Sequence, residues 1–206
     1  MTFAGAPRVA HRVGRYVASA DRRRGQLCIV MNPQCSTYRS GKVVQTNRAT
    51  SSYGLRVYIA RLFSVYGAEL KKQLLWDMCV RLAAGTRPLV LGGTGNELRD
   101  WTEVRDVVRA LNLLSAHASA EVVTINVGTG TGLSVQQIAS SIVRHWPLSA
   151  AADALQFSGR SRPGDPFSLV ANATKLNGLG FAWEVPVENG LAAYVRWFQG
   201  QREALQ

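Results

Sequence analysis

Two glycine-rich stretches are the residues in this chain whose types and spacing most directly invite chemistry. Gly128-Thr129-Gly130-Thr131-Gly132 follows the apolar run 122–127, and Gly92-Gly93-Thr94-Gly95 follows 88–91. A glycine turn between strand and helix lets backbone N–H groups converge on a phosphate. Both stretches fail that chemistry in detail. A dinucleotide fingerprint spaces its glycines G-x-G-x-x-G, with an acid about 20 residues later. A nucleotide-phosphate loop continues from its last glycine with Lys-Ser/Thr, where this chain has Leu133-Ser134. Both stretches are therefore expected to be tight turns. Cys28, Cys35 and Cys79 are too few and too scattered for a disulfide scaffold, and no Cys/His cluster has zinc spacing. A reducing, cytoplasmic compartment is expected, with His11, His117 and His145 on the surface and Trp76, Trp101 and Trp197 in the core.

The elements that must carry these turns alternate between strand and helix. Apolar runs at 27–31, 55–63, 88–91 and 122–127 read as strands, with Ser64-Val65-Tyr66-Gly67 as the loop ending the second. Leu70, Leu74, Leu75, Met78 and Leu82 recur at helical spacing before Gly85, and Val104, Val107, Val108, Leu111 and Leu114 do the same. Ser134 with Gln137 three residues on forms a capping box for a third helix through Ile142. Further helices are expected near Thr174 and from Val187 to Phe198, and residues 38–53 are compatible with helix. The alternation places the chain in the α/β class.

The composition, 47% hydrophobic and 18% charged, is that of a globular protein. No apolar run approaches the ~20 residues that span a bilayer, so no membrane partner is expected. The net charge is +11, yet residues 1–50 hold nine Lys/Arg against one acid, Asp21, whereas residues 51–206 hold fifteen against twelve. Basicity belongs to one end of the chain. No interleaved aromatic and basic residues accompany it, so nucleic acid is not an expected partner of the fold. Arg8, Arg12 and Arg15 fall at helical spacing, and residues 1–30 are read as a basic, poorly ordered extension before a domain of residues 31–206. Binding of that extension to nucleic acid or an anionic surface stays open as an alternative.

Four segments in order resemble the extended short-chain dehydrogenase/reductase family, the NAD-dependent nucleotide-sugar epimerases and dehydratases. Residues Gly54 to Gly67, ending Arg61-Leu62-Phe63-Ser64-Val65-Tyr66-Gly67, are similar to its R-L-F-N-V-Y-G strand and loop. Gly93-Thr94-Gly95 through Arg99-Asp100-Trp101 to Val104 and Asp106 resembles its G-x-G-x-x-x-R-D-[FWY]-x-x-V-x-D element. Asn126-Val127-Gly128-Thr129-Gly130 with Ser134-Val135 resembles its N-x-G-T-G turn. Arg162-Pro163-Gly164-Asp165, with Lys175-Leu176 and Leu179-Gly180-Phe181, resembles its R-x-G-D segment and following helix. The resemblance implies the C-terminal part of a Rossmann-type parallel sheet and a small α/β substrate-binding domain, without the N-terminal dinucleotide-binding βαβ half.

Upstream, Tyr38 and Lys42 fit the family's Y-x-x-x-K pair. On a helix, positions i and i+4 share a face, and an ammonium beside a phenol of pKa ~10 favours the phenolate. The resemblance makes this pair catalytic, with the phenolate taking a hydroxyl proton while hydride passes to NAD, and gives Tyr38, Lys42 and Leu62 the cofactor. It gives the nucleotide-sugar substrate to Ser64 (the family has Asn), Lys72, Gln73, Leu74, Arg99, Arg162 and Asp165. Arginine suits phosphate because its planar fork makes bidentate, charge-assisted contacts. No metal is implied, and a homodimer is. The departures are a stretch from Lys42 to Gly54 about three residues short, nearly one helical turn, and no hydroxyl near Val13-Gly14 to assist the tyrosine. A second reading is a non-catalytic remnant that keeps only the nucleotide-sugar half-site.

Overall fold

The structure is a computed structural model that describes residues 9–13, 16–21, 26–31, 56–117, 123–147, 155–160 and 164–203. They fall into two compact units. The first takes in residues 1–63, 107–127 and 172–182, and the second 64–106, 128–171 and 183–206.

In the first unit, β1 (Val9–Val13), β2 (Tyr16–Asp21), β3 (Gln26–Met31), β4 (Arg56–Leu62) and β9 (Val123–Val127) form one sheet in that order. β3, β4 and β9 run parallel, with Met31 opposite Arg61 and Leu62 opposite Val127. Tyr58, Ile59 and Ala60 are buried one after another, as happens when a parallel strand is covered on both faces. Helix α4 (Thr174–Gly178) belongs to this unit, as does most of α2 (Val104–Ala116). Val107, Ala110 and Leu114 are the buried face of α2, whereas Val104 and Val108 are 36% and 51% exposed. The apolar stripe is thus narrower than its five residues imply. Arg109 holds the segment after α4 by donating to the Ala182 carbonyl at 3.2 Å and lying 5.2 Å above the Phe181 ring.

Strand β3 covers the apolar run 27–31 expected as a strand, whereas β1 and β2 lie where a poorly ordered, helix-spaced extension is expected. The reason is pairing at a distance: β1 pairs antiparallel with β2 from Val13↔Tyr16 outward, and β2 pairs antiparallel with the apolar strand β3 from Ala18↔Ile29 to Asp21↔Gln26. Three arginines at helical spacing carry less weight than that pairing.

The second unit surrounds an apolar cluster. Helix α1 (Gln73–Ala83) brings Leu75, Met78, Cys79 and Leu82, and α3 (Val135–His145) brings Ile138, Ala139 and Ile142. Helix α5 (Val187–Glu203) adds Leu191, Tyr194, Val195 and Phe198. Each such side chain contributes about 1.5–3 kcal/mol when fully buried. Burial pushes the Cys79 thiol up to about 12, so it behaves as a small apolar side chain. The expected capping box holds α3, with Gln137 N–H donating to Ser134 Oγ at 3.1 Å and Ser134 N–H to Gln137 Oε1 at 2.8 Å.

Short strands frame the helices. β5 (Ser64–Tyr66) runs parallel to β8 (Trp101–Glu103), and β6 (Leu89–Leu91) parallel to β11 (Leu155–Phe157). β7 (Leu98–Arg99) lies between antiparallel β10 (Leu133–Ser134) and parallel β12 (Ser168–Leu169). Ser64 to Tyr66 is therefore strand rather than loop, because β8 supplies the partners that sequence proximity does not.

Tyr66 is fully buried, packs edge-on against Trp101 at 6.0 Å and donates its hydroxyl to the Val187 carbonyl at 3.2 Å. Gly190 lies directly against its ring and hydroxyl. Alanine there gains up to ~1 kcal/mol of helix propensity but overpacks Tyr66, at about 1–3 kcal/mol. Gly190→Ala is expected to lower the urea midpoint of unfolding; an equal or higher midpoint contradicts this contact.

Candidate functional site

Each glycine-rich turn is occupied by a carboxylate of the chain itself. Glu97 accepts hydrogen bonds from Thr94 N–H at 2.8 Å, Thr94 Oγ1 at 3.0 Å and Gly95 N–H at 2.9 Å. A Cβ on Gly93, whose φ is +92°, would come within 2.8 Å of that carboxylate. Partial burial would raise the Glu97 pKa, but the Thr94 and Gly95 donors outweigh it and hold the carboxyl below its ordinary value. Asp100 does the same for the second turn. Its Oδ1 accepts from Thr129 N–H at 2.8 Å and Thr129 Oγ1 at 2.7 Å, and its Oδ2 from Gly130 N–H at 2.9 Å. The tight turns expected from the sequence are thus built around internal anions, to which the N–H groups of Thr94, Gly95, Thr129 and Gly130 are committed.

Asp100 also reaches the segment after β12, where Ala171 N–H donates to Oδ2 at 3.1 Å. Its backbone N–H donates to the Leu169 carbonyl at 3.1 Å, and its carbonyl accepts from Ser64 N–H at 2.9 Å. The residue has no solvent exposure. A buried carboxylate is tolerated only when its oxygens are fully hydrogen-bonded, and four donors meet that condition. Asp106 follows the same rule, accepting from the N–H groups of Glu184 and Val185 at 3.0 and 2.9 Å.

Beside Asp100 on β7, the buried Arg99 side chain points to a different acid. Its Nη2 meets Asp165 Oδ1 at 2.7 Å, and its Nη1 donates to the carbonyls of Leu98 and Phe167 at 2.8 and 3.4 Å. The β7–β12 pairing brings together two residues 66 positions apart. The Asp165 side chain is about half exposed, whereas that of Arg99 is buried.

The other residues singled out by sequence are more dispersed. Ser64 opens β5, and Leu62 ends β4 at the carboxyl edge of the parallel strands, the edge at which α/β sheets bind ligands. Lys72 is the N-cap of α1 and Gln73 its first residue, both exposed, Gln73 with φ +67°. Leu74 packs onto the apolar cluster. Tyr38, Lys42 and Arg162 lie outside the described residues. Trp101 is buried, whereas Trp76 and Trp197 are partly buried and pack on the same cluster.

One group of side chains escaped the sequence reading. Glu188 accepts from Ser141 Oγ at 2.8 Å, contacts His145 Nε2 at 2.9 Å and pairs with Arg144 at 3.2 Å, joining α5 to α3. Burial would raise its pKa, but the Ser141 hydroxyl, Arg144 and His145 together lower it. Ser141, Arg144 and Glu188 line a groove of about 580 Å³ between the two helices, and a second groove of about 390 Å³ is bounded by Trp101, Thr131 and Pro186. Neither is lined by Arg99 or Asp165.

Residues 14–128 match the model of the NAD dependent epimerase/dehydratase family, and the chain belongs to that family. That match begins inside the segment read as an extension. The chain is 30% identical over 146 residues to the UDP-glucose 4-epimerase of Azospirillum brasilense, covering 62% of this chain and 41% of that protein. Among solved structures it resembles the UDP-glucose 4-epimerase of Thermotoga maritima determined with UDP-glucose (26% identity, TM-score 0.65, 79% of this chain and 51% of that one). It also resembles MoeE5 in complex with UDP-glucose and NAD (29% identity, TM-score 0.60, 74% and 49%). The chain thus spans about half or less of each relative. No described helix is long and apolar enough to cross a membrane.

Because hydrogen bonding depresses the Glu97 pKa, its contribution to stability is present above the ordinary Glu value of ~4.3 and fades as pH falls through the lowered one. Urea unfolding of the wild type and Glu97→Gln is expected to show a stability difference that is full at pH 7 and closes in acid. A gap independent of pH contradicts this role.

Proposed function

We propose that the chain binds a nucleoside-diphosphate sugar at Arg99, Arg162 and Asp165, with Ser64, Lys72, Gln73 and Leu74 on the sugar-nucleotide side, and acts on it as an NAD-dependent epimerase or dehydratase. The observation that carries this reading is the buried Arg99 guanidinium, fixed on β7 against Asp165 from a segment 66 residues away. In this reading the guanidinium receives phosphate oxygens through its planar fork, and the half-exposed carboxylate receives a hydroxyl. The hydroxyl is then one of the ribose or sugar, and the oxygens are those of the diphosphate.

In this reading Tyr38, as phenolate, takes the proton of a sugar hydroxyl, and Lys42 keeps the phenol acidic enough to do so near neutral pH. NAD supplies a reversible hydride acceptor. Tyr38, Lys42 and Leu62 are the residues that would hold its nicotinamide half, Leu62 from the carboxyl edge of β4. The described glycine turns do not hold its pyrophosphate, because Glu97 and Asp100 already occupy their N–H groups. In the second reading the chain binds the nucleotide sugar without turnover.

Isothermal titration calorimetry separates the two. UDP-glucose is expected to bind the full chain saturably, and Arg99→Ala to weaken it by about 2–3 kcal/mol, roughly 30- to 150-fold, through loss of charged hydrogen bonds. Saturable NAD binding selects the enzymatic reading, and its absence the binding-only one. Failure of UDP-glucose to bind refutes both. Where turnover is measurable, Tyr38→Phe is expected to abolish it while sparing the affinity for UDP-glucose.

A further inference from the structure

We infer that Asp100 is a positioning residue for the anion site, acting through Arg99; the inference rests on the nucleotide-sugar reading above. Every polar group of Asp100 is spent on a different piece of that site. Its carbonyl holds the Ser64 amide at the start of β5, and its N–H holds Leu169 on β12. Its carboxylate holds Thr129 and Gly130 in the glycine turn and Ala171 beyond β12. Ser64, Arg99 and the strand that follows Asp165 therefore share one fixed point.

The chemistry at that point is specific to a carboxylate. All four contacts to its side chain are donors, three backbone N–H groups and one hydroxyl, so both oxygens must accept. An amide of the same shape turns an NH2 toward some of them and leaves buried donors unmet. Asp100 therefore defines where β7 lies relative to β12, and with it where Arg99 meets Asp165. It touches no ligand in this account. Its neighbour in sequence, Arg99, pairs with Asp165 and not with Asp100, so the Asp100 charge is not consumed in neutralising the arginine.

The test is a double-mutant cycle on UDP affinity by calorimetry in the full chain, with circular dichroism showing each variant folded at the titration temperature. Asp100→Asn is expected to weaken UDP at least tenfold. In an Arg99→Ala background the same change is expected to shift affinity less than twofold, since its effect passes through the arginine. Full additivity, or an unchanged affinity in Asp100→Asn alone, overturns the inference. Thr129→Val, which removes one of the four donors, decides the matter if Asp100→Asn does not fold. It should weaken UDP several-fold and speed amide exchange at Gly130 and Ala171, and a null effect on both overturns the inference. If UDP fails to bind the wild type, the nucleotide-sugar reading falls, and hydrogen exchange still judges the hub. Asp100→Asn should then deprotect Ser64, Thr129, Gly130 and Ala171 while leaving α5 amides unchanged, and equal protection at the four sites refutes it.

Discussion

A carboxylate removed from water must find its donors in the protein, and the second unit is organised around the one place where that demand is largest. Asp100 has no exposure and takes four hydrogen bonds, all between 2.7 and 3.1 Å. Leaving one buried donor or acceptor unmatched costs about 1–3 kcal/mol, a large share of the 5–15 kcal/mol that separates most folded domains from their unfolded chains. The glycine turn after β9 and Ala171 beyond β12 converge on the carboxylate, while Ser64 at the start of β5 and Leu169 at the end of β12 meet the backbone groups of the same residue. Glycine at 130, with φ +80°, permits the turn to present its N–H group to the carboxylate.

The same device recurs along the chain at a fixed interval. Glu97, Asp100, Glu103 and Asp106 stand three residues apart, and each accepts a backbone N–H: Thr94 and Gly95, Thr129 and Gly130, Arg105, and Glu184 and Val185 respectively. These acids anchor loops instead of forming a solvated negative face, which leaves Arg99 as a buried cation among them, ion-paired with Asp165. Glu103 also bears on Tyr66. Burial, reinforced by the Glu103 charge, pushes the Tyr66 phenol well above its ordinary range, so its hydroxyl stays a donor to Val187.

Local features of this fold were legible in the sequence, and distant ones were not. Ser134 and Gln137 announce α3 because a capping box is complete within four residues. Spans of α1, α3 and α5 follow from periodicity, and β4 and β9 from apolar runs. The glycine stretches could be recognised as turns, but nothing near them names Glu97 or Asp100 as what they enclose. In particular, Asp100 lies 29 positions before Thr129 and 71 before Ala171. Ser64 is strand only because β8 lies beside it, and Glu188 meets Ser141 and His145 across more than forty residues. Strands β1 and β2 owe their place in the sheet to pairing that three arginines at helical spacing do not announce. Arg99 and Asp165 were reachable through resemblance alone, as parts of an ordered set of motifs, and their 2.7 Å contact with each other was not legible there.

The most direct test of this account is a crystal structure of the full chain grown with UDP. The expected result is diphosphate oxygens within hydrogen-bonding distance of the Arg99 guanidinium, a ribose hydroxyl on Asp165, and Asp100 still bound by Thr129, Gly130 and Ala171. Density for the nucleotide in the α3–α5 groove, with Arg99 engaged by Asp165 alone, is the result that contradicts it.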